Sequence, residues 1–293
     1  RTGIKFRHFV EDNELTSDMG TNAAILALLN AGLKPDDIDL IIVATTTPDN
    51  TFPSTASKIQ NNLGCKAISF DVQAVCAGFV YAISVGVAML KDGHGNKCLV
   101  IGADSMSKIL DWNDRSTAVL FGDGAGAVIL ETEIEKKEFV QIDQWGILAS
   151  KIFTNGEYYD LLSTSGGVSK SKSIGVLRMN GKEIFKHAVE KLSSSLLKCL
   201  EKCKMNVNDI DWLIPHQANQ RIINAVSNKV KIPQNKIIST ISVHGNTSAA
   251  SIPLALDFGV KEGNVKNGNI LALQAIGGGL SWGSLILKIG KPS

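Results

Sequence analysis

Cys76 stands between the apolar run Ile68–Val72 and a stretch of small residues that begins Ala77-Gly78. That order predicts a strand over 67–72, a sharp turn, and a helix over 77–91 with the thiol at its N-terminus. The helix dipole and the free N–H groups there favour thiolate, the reactive form of cysteine. The small neighbours leave room for a carbonyl group, and the N–H of Cys76 itself could stabilise an oxyanion. A free cysteine is also often just a small buried hydrophobe.

His216, in Pro215-His216-Gln217-Ala218-Asn219, falls at the carboxyl end of a predicted strand over 211–215. Open α/β sheets bind ligands at that end. A neutral imidazole there can donate to a thioester oxygen or act as a base, although a hydrogen-bonded structural histidine fits the same place. Asn246 lies in His244-Gly245-Asn246-Thr247-Ser248. Its amide moves no protons but can donate to a developing enolate oxygen; Asn or Thr here could equally cap the next helix. Either His216 or His244 could serve, and the strand-end position favours His216. Gly277-Gly278-Gly279 reads as backbone brought close to a ligand, or as a tight loop. The Gly122–Gly126 segment lacks both phosphate-loop spacings and reads as close packing.

These residues sit in a chain that repeats itself. Pro35-Asp36-Asp37-Ile38-Asp39-Leu40-Ile41-Ile42-Val43 is echoed by Val207-Asn208-Asp209-Ile210-Asp211-Trp212-Leu213-Ile214-Pro215. A helical stretch precedes each copy, and a turn into a helix of small residues follows each. Those helices end alike, in Lys91-Asp92-Gly93 and Lys261-Glu262-Gly263. A period shared along the whole chain argues duplication of one unit, which sets the cysteine of one half against the His and Asn of the other. The first half predicts helices over 21–31, 54–63 and 77–91 and strands over 39–45, 67–72 and 97–103. The second predicts helices over 182–203, 219–230 and 247–262 and strands over 211–215, 237–241, 269–275 and 282–288. Runs such as Leu40-Ile41-Ile42-Val43 do not alternate, as strands buried on both faces do not. The organisation expected is an N-terminal half over 1–135, a connecting strand with loops over 136–180, and a C-terminal half over 181–293. Together they give an α/β fold with central helices between two sheets.

The 293 residues are 44% hydrophobic and 20% charged, ordinary values for a globular protein, and the net charge of +2 gives no whole-protein field for nucleic acid or a membrane surface. No apolar run approaches the ~18 residues of a membrane span. The cysteines Cys65, Cys76, Cys98, Cys199 and Cys203 have no metal-type spacing, and no metal is expected. A reducing compartment fits them best. The chain opens abruptly on Arg1-Thr2-Gly3-Ile4, as though mid-fold.

Together, Asp71-Val72-Gln73-Ala74-Val75-Cys76-Ala77-Gly78-Phe79, Phe121-Gly122-Asp123-Gly124-Ala125-Gly126, Pro215-His216-Gln217-Ala218-Asn219, His244-Gly245-Asn246-Thr247-Ser248-Ala249-Ala250-Ser251 and Gly277-Gly278-Gly279 resemble, in order, the β-ketoacyl-acyl-carrier-protein synthase III family. The resemblance runs from Arg1 almost to the C-terminus. It implies the thiolase-like fold, two pseudo-symmetric halves in an α/β/α/β/α layered body, and the initiating condensation of type II fatty-acid synthesis. It makes Cys76 the nucleophile that takes an acyl group, acetyl first among candidates, from coenzyme A. His216 and Asn246 then bind the malonyl-carrier-protein thioester and stabilise the enolate left by decarboxylation, and the N–H groups of Cys76 and Gly278 form a second oxyanion hole. It further implies coenzyme A contacts by Arg1, Arg115 and Asn219, carrier-protein docking near Lys186 and Arg221, and a homodimer in which Phe52 lines the partner's acyl pocket. No cofactor is implied beyond the coenzyme A thioester substrate. The location implied is the bacterial cytoplasm, or else a plastid-type stroma.

Two departures stand out. The family has about thirty further residues before Arg1, a strand and a helix at usual lengths. Ser242-Val243 stands where the family commonly has Asp-Arg.

Five other readings share parts of the pattern. A biosynthetic thiolase needs a second cysteine in the C-terminal glycine loop, and chalcone-synthase-like enzymes carry GFGPG there; Ala275–Leu280 has neither. Elongating ketosynthases use a second His where this chain has Asn246. An inactive condensing-fold protein that binds acyl-carrier protein has no need of Cys76, His216 and Asn246 together, and a cysteine hydrolase needs neither the duplication nor the glycine loops.

Overall fold

The computed structural model describes residues 2–132 and 145–290; Arg1 and the boundary expected at 135/136 lie outside them. Strands β1 (Leu40–Ala44), β2 (Ile68–Val72), β3 (Lys97–Ser105) and β4 (Asp123–Glu131) form one sheet in the order β2-β1-β3-β4, parallel except for β4. Strands β5 (Gly146–Thr154), β8 (Trp212–Pro215), β9 (Ile270–Gly277) and β10 (Ser281–Lys288) form the other in the order β5-β10-β9-β8. Between them in sequence, β6 (Leu162–Thr164) and β7 (Leu177–Met179) make a small hairpin. β5 falls in the segment expected to connect the halves, and it pairs antiparallel with β10 as an edge strand of the second sheet.

Helices α1 (Thr16–Ala31) and α2 (Thr55–Leu63) cover the outer face of the first sheet, and α3 (Gly78–Lys91) lies between the sheets. After the one-turn α4 (Val168–Ser171), helices α5 (Gly181–Cys203) and α6 (Gln220–Val230) cover the second sheet's outer side. The one-turn α7 (Ile241–His244) leads to α8 (Ser251–Lys261), which joins α3 in the middle layer. This is the thiolase-like layered α/β fold. β1 shows why its sequence does not alternate: Leu40, Ile42 and Ala44 face the core between the sheets, while Ile41 and Val43 face the core under α1 and α2. Among the described residues no helix is long and apolar enough to cross a membrane.

The strand expected over 237–241 does not form. Ile237 makes a single bridge to Leu213, and the N–H groups of Thr240 and Ile241 donate instead to Gln217 Oε1 at 2.9 and 3.1 Å. A side chain has taken the donors that a strand ladder would use. The helix expected over 21–31 begins earlier, at Thr16, and the one expected over 247–262 is divided into a 3₁₀ turn, Ser248–Ala250, and α8.

The duplication holds residue by residue around the centre. The inner face of β1 runs Leu40, Ile42, Ala44, and that of β8 runs through Ile214, which sets Ala44 against His216. β3 presents Cys98 and Val100 inward and β9 presents Leu271, Leu273 and Ala275, which sets Asp104 against Gly277. The turns into α3 and α8 open on Val75 at φ 49° and Ser248 at φ 50°, both non-glycine residues in the left-handed region. Cys76 therefore matches Ala249, and Gly78 matches Ser251.

Candidate active site

One segment of the second half, residues 246–251, contains Asn246 and touches both the Cys76 turn and His216. Cys76 is buried in the 3₁₀ turn Val75–Ala77, and the Ser248 hydroxyl approaches its thiol. Asn246 is fixed through its backbone by Asn246 N–H to Leu120 O at 3.0 Å and Gly122 N–H to Asn246 O at 2.9 Å. Its Oδ1 accepts the Ser248 N–H at 3.0 Å, which leaves Nδ2 as a donor with no hydrogen bond to the described residues. His216 follows β8 directly, is 4% exposed, and its Nδ1 lies 2.6 Å from the Ser251 hydroxyl. His244 sits elsewhere, half-buried against His8 with ring centroids 5.3 Å apart. The strand-end position thus puts His216, not His244, against this turn.

The glycine segments explain the close approach. A Cβ at Gly122 would lie 2.7 Å from His244 O, so this glycine lets the two segments meet, and the Gly122–Gly126 run is closely packed, as expected. A Cβ at Gly277 would lie 2.7 Å from Cys76 N, and one at Gly278 would lie 2.7 Å from Leu162 O. Neither the Cys76 nor the Gly278 N–H donates to a turn or loop partner.

Asp104 was not singled out by its sequence surroundings, and it is the hinge of the arrangement. Fully buried, it accepts from Thr46 N–H at 2.7 Å and Thr47 Oγ1 at 3.0 Å in the first half, and from Ala249 N–H at 3.1 Å in the second. Only the alignment of the two halves marks it, because Asp104 occupies the N–H of Ala249 while its counterpart Gly277 leaves that of Cys76 free.

The resting site differs from the thiolate expected at a helix N-terminus. Burial pushes the Cys76 thiol up to about 12; the Ser248 hydroxyl and the Cys76 N–H oppose this only in part, and the Asp104 carboxylate adds to it. Burial also pushes His216 down to about 3. Burial thus favours a neutral thiol and a neutral imidazole in the resting site. Cys76 alkylation by iodoacetamide is expected to rise about tenfold per pH unit from 7 to 10. Mass-spectrometric rates at the Cys76 peptide would contradict this by reaching a plateau near pH 8.

Residues 70–156 match the family model described as 3-Oxoacyl-[acyl-carrier-protein (ACP)] synthase III, and residues 200–289 match its C-terminal counterpart. A β-ketoacyl-[acyl-carrier-protein] synthase III of Ehrlichia canis (strain Jake) is 53% identical over 290 residues, 99% of this chain and 89% of that protein. The chain belongs to the β-ketoacyl-[acyl-carrier-protein] synthase III family. The synthase III of Sphingopyxis alaskensis is 49% identical over 99% of this chain and 88% of its own. The crystal structure of 3-oxoacyl-[acyl-carrier-protein] synthase III from Aquifex aeolicus VF5 superposes with a TM-score of 0.91 at 43% identity, covering 99% of this chain and 89% of that one.

Of the remaining positions that the synthase III resemblance singles out, Arg1 lies outside the described residues. Arg115 is exposed in the loop before β4. Asn219 caps α6, its Oδ1 accepting the Ile222 N–H at 3.0 Å. Lys186 is exposed on α5, and the exposed Arg221 guanidinium lies 5.3 Å from the centroid of the Phe185 ring. Phe52 is 83% exposed, beyond the end of β1, and β2 is an edge strand among the described residues.

Proposed function

We propose that the buried centre around residues 246–251 carries out the initiating condensation of an acyl-coenzyme A with malonyl-acyl-carrier protein, with the two halves of the chain dividing the work. The observation that carries this reading is the asymmetry of the duplicate turns: a carboxylate fills the N–H of Ala249, while Gly277 leaves that of Cys76 open.

In the first step the Cys76 sulfur attacks the acyl thioester carbon, and the N–H groups of Cys76 and Gly278 receive the oxyanion. Collapse forms acyl-Cys76, and the thiol proton leaves with coenzyme A as its free thiol. In the second step His216 and Asn246 Nδ2 donate to the malonyl thioester oxygen. Carbon dioxide departs, its bonding electrons pass into the enolate, and a neutral imidazole can donate here without itself being consumed. The enolate carbon attacks acyl-Cys76, and the cysteine leaves as thiolate and regains a proton. Covalent capture divides one difficult condensation into two easier steps.

In this reading Arg1, Arg115 and Asn219 contact coenzyme A, and Lys186 with Arg221 offers positive charge to an acidic carrier protein. The exposure of Phe52 and the free edge of β2 support a homodimer in which each Phe52 reaches the partner's acyl pocket. The starter assigned is acetyl. The location assigned is the bacterial cytoplasm, in keeping with the bacterial sources of the relatives.

Incubation with acetyl-coenzyme A and malonyl-carrier protein is expected to yield coenzyme A, carbon dioxide and 3-ketoacyl-carrier protein in equal amounts. Release of acetate in place of the condensed product would overturn the reading in favour of a hydrolase. Gly277→Ala, whose Cβ would fall against Cys76 N, is expected to slow Cys76 acylation about a hundredfold. Stopped-flow release of coenzyme A checks this, and a rate within twofold of wild type would contradict it.

A further inference from the structure

His216 is held by one side chain, and the duplication shows that the fold does not require the contact. Ser251, the first residue of α8, is 1% exposed, and its Oγ lies 2.6 Å from His216 Nδ1. The same oxygen accepts the Gln217 N–H at 3.3 Å. A buried hydroxyl must also place its own proton. No other acceptor for it stands among the hydrogen bonds of the described residues, so the proton points at Nδ1. The imidazole nitrogen on that side is then the acceptor, and the ring's proton resides on Nε2. The opposite tautomer would set Nδ1–H and Gln217 N–H against one oxygen and strand the hydroxyl proton.

The first half makes the same crossing without this pair. Ala44 and Gly78 stand where the second half has His216 and Ser251, and a Cβ built on Gly78 would lie 3.1 Å from the Ala44 Cβ. Strand end and helix start pack there through apolar contact alone. The hydroxyl–imidazole pair is therefore an addition made only in the half that binds the malonyl thioester.

We propose that Ser251 is a positioning residue for the condensation, its hydroxyl holding His216 in the tautomer that carries its proton on Nε2. That N–H then donates to the thioester oxygen as the enolate forms. Without the hydroxyl the ring can place its proton on either nitrogen, and the Nδ1–H form offers the substrate a lone pair where a donor is needed. The proposal rests on the reading of His216 given above.

The test uses the whole chain labelled with ¹⁵N-histidine. Wild-type protein is expected to show His216, assigned by its loss in His216→Ala, in the Nε2–H tautomer, and Ser251→Ala is expected to show a mixture. In the same variant decarboxylation of malonyl-carrier protein should fall about ten- to a hundredfold, as when other orienting partners of histidine are removed. Cys76 acylation, which reports that the variant has folded, should remain within about twofold. An Nδ1–H tautomer in the wild type, or decarboxylation unchanged in Ser251→Ala while lost in His216→Ala, overturns the proposal and leaves the role of His216 standing. Decarboxylation unchanged in His216→Ala itself overturns both.

Discussion

Replacing Cys76 by alanine is expected to abolish condensation, by on the order of 10⁴-fold or more, while malonyl-carrier protein still loses carbon dioxide. In the proposed mechanism the first half supplies the covalent step through this one sulfur. No second thiol stands at the site, since Cys98, Cys199 and Cys203 are buried in core clusters and Cys65 packs beneath α1 and α2. The groups proposed to drive decarboxylation, His216 and Asn246, come from the second half and are untouched by the change. Ala249 already occupies the matching turn, so alanine is compatible with that backbone. The measurement is paired: 3-ketoacyl product by mass spectrometry, and carbon dioxide release from malonyl-carrier protein alone. Loss of both activities in a folded variant would contradict the division of labour.

The converse substitutions carry the second large effect. His216→Ala and Asn246→Ala are each expected to lower decarboxylation about 10²- to 10³-fold, the usual cost of removing one donor to a developing oxyanion. Each should still take up an acyl group at Cys76. Asn246→Asp tests the donor role more sharply, because a carboxylate keeps the size but cannot donate. Its decarboxylation should fall at least as far as that of Asn246→Ala. In the proposed mechanism the two donors share one oxygen, so the double variant should lose less than the product of the single losses. Full additivity would place them on different atoms.

Much of this centre was legible in the sequence, because each reactive residue sits at the end of a strongly patterned element. The buried run Leu40–Val43 and its echo before Pro215 fixed the layered architecture, and the echo implied that Cys76 would meet His216 and Asn246 across the halves. The protonation state was not legible. The dipole argument for a Cys76 thiolate depends on local chain order, whereas the desolvation that pushes the thiol up comes from sheets and helices distant in sequence. The strand expected over 237–241 failed for a related reason: its donors are taken by Gln217, a residue whose sequence neighbours carry no sign of that role. Asp104 and Ser251 were also silent as single residues. Each becomes readable only when the halves are aligned, Asp104 against Gly277 and Ser251 against Gly78, because the differences between the copies mark where the chemistry departs from the fold.

The most direct measurement is intact-protein mass spectrometry after incubation with acetyl-, butyryl- or isobutyryl-coenzyme A, followed by peptide mapping. A single acyl adduct, greatest for acetyl, is expected on the peptide containing Cys76 and absent from Cys76→Ala. A folded protein that takes up no acyl group from any of the three thioesters, or that carries it at another residue, would contradict the claim that Cys76 is the nucleophile.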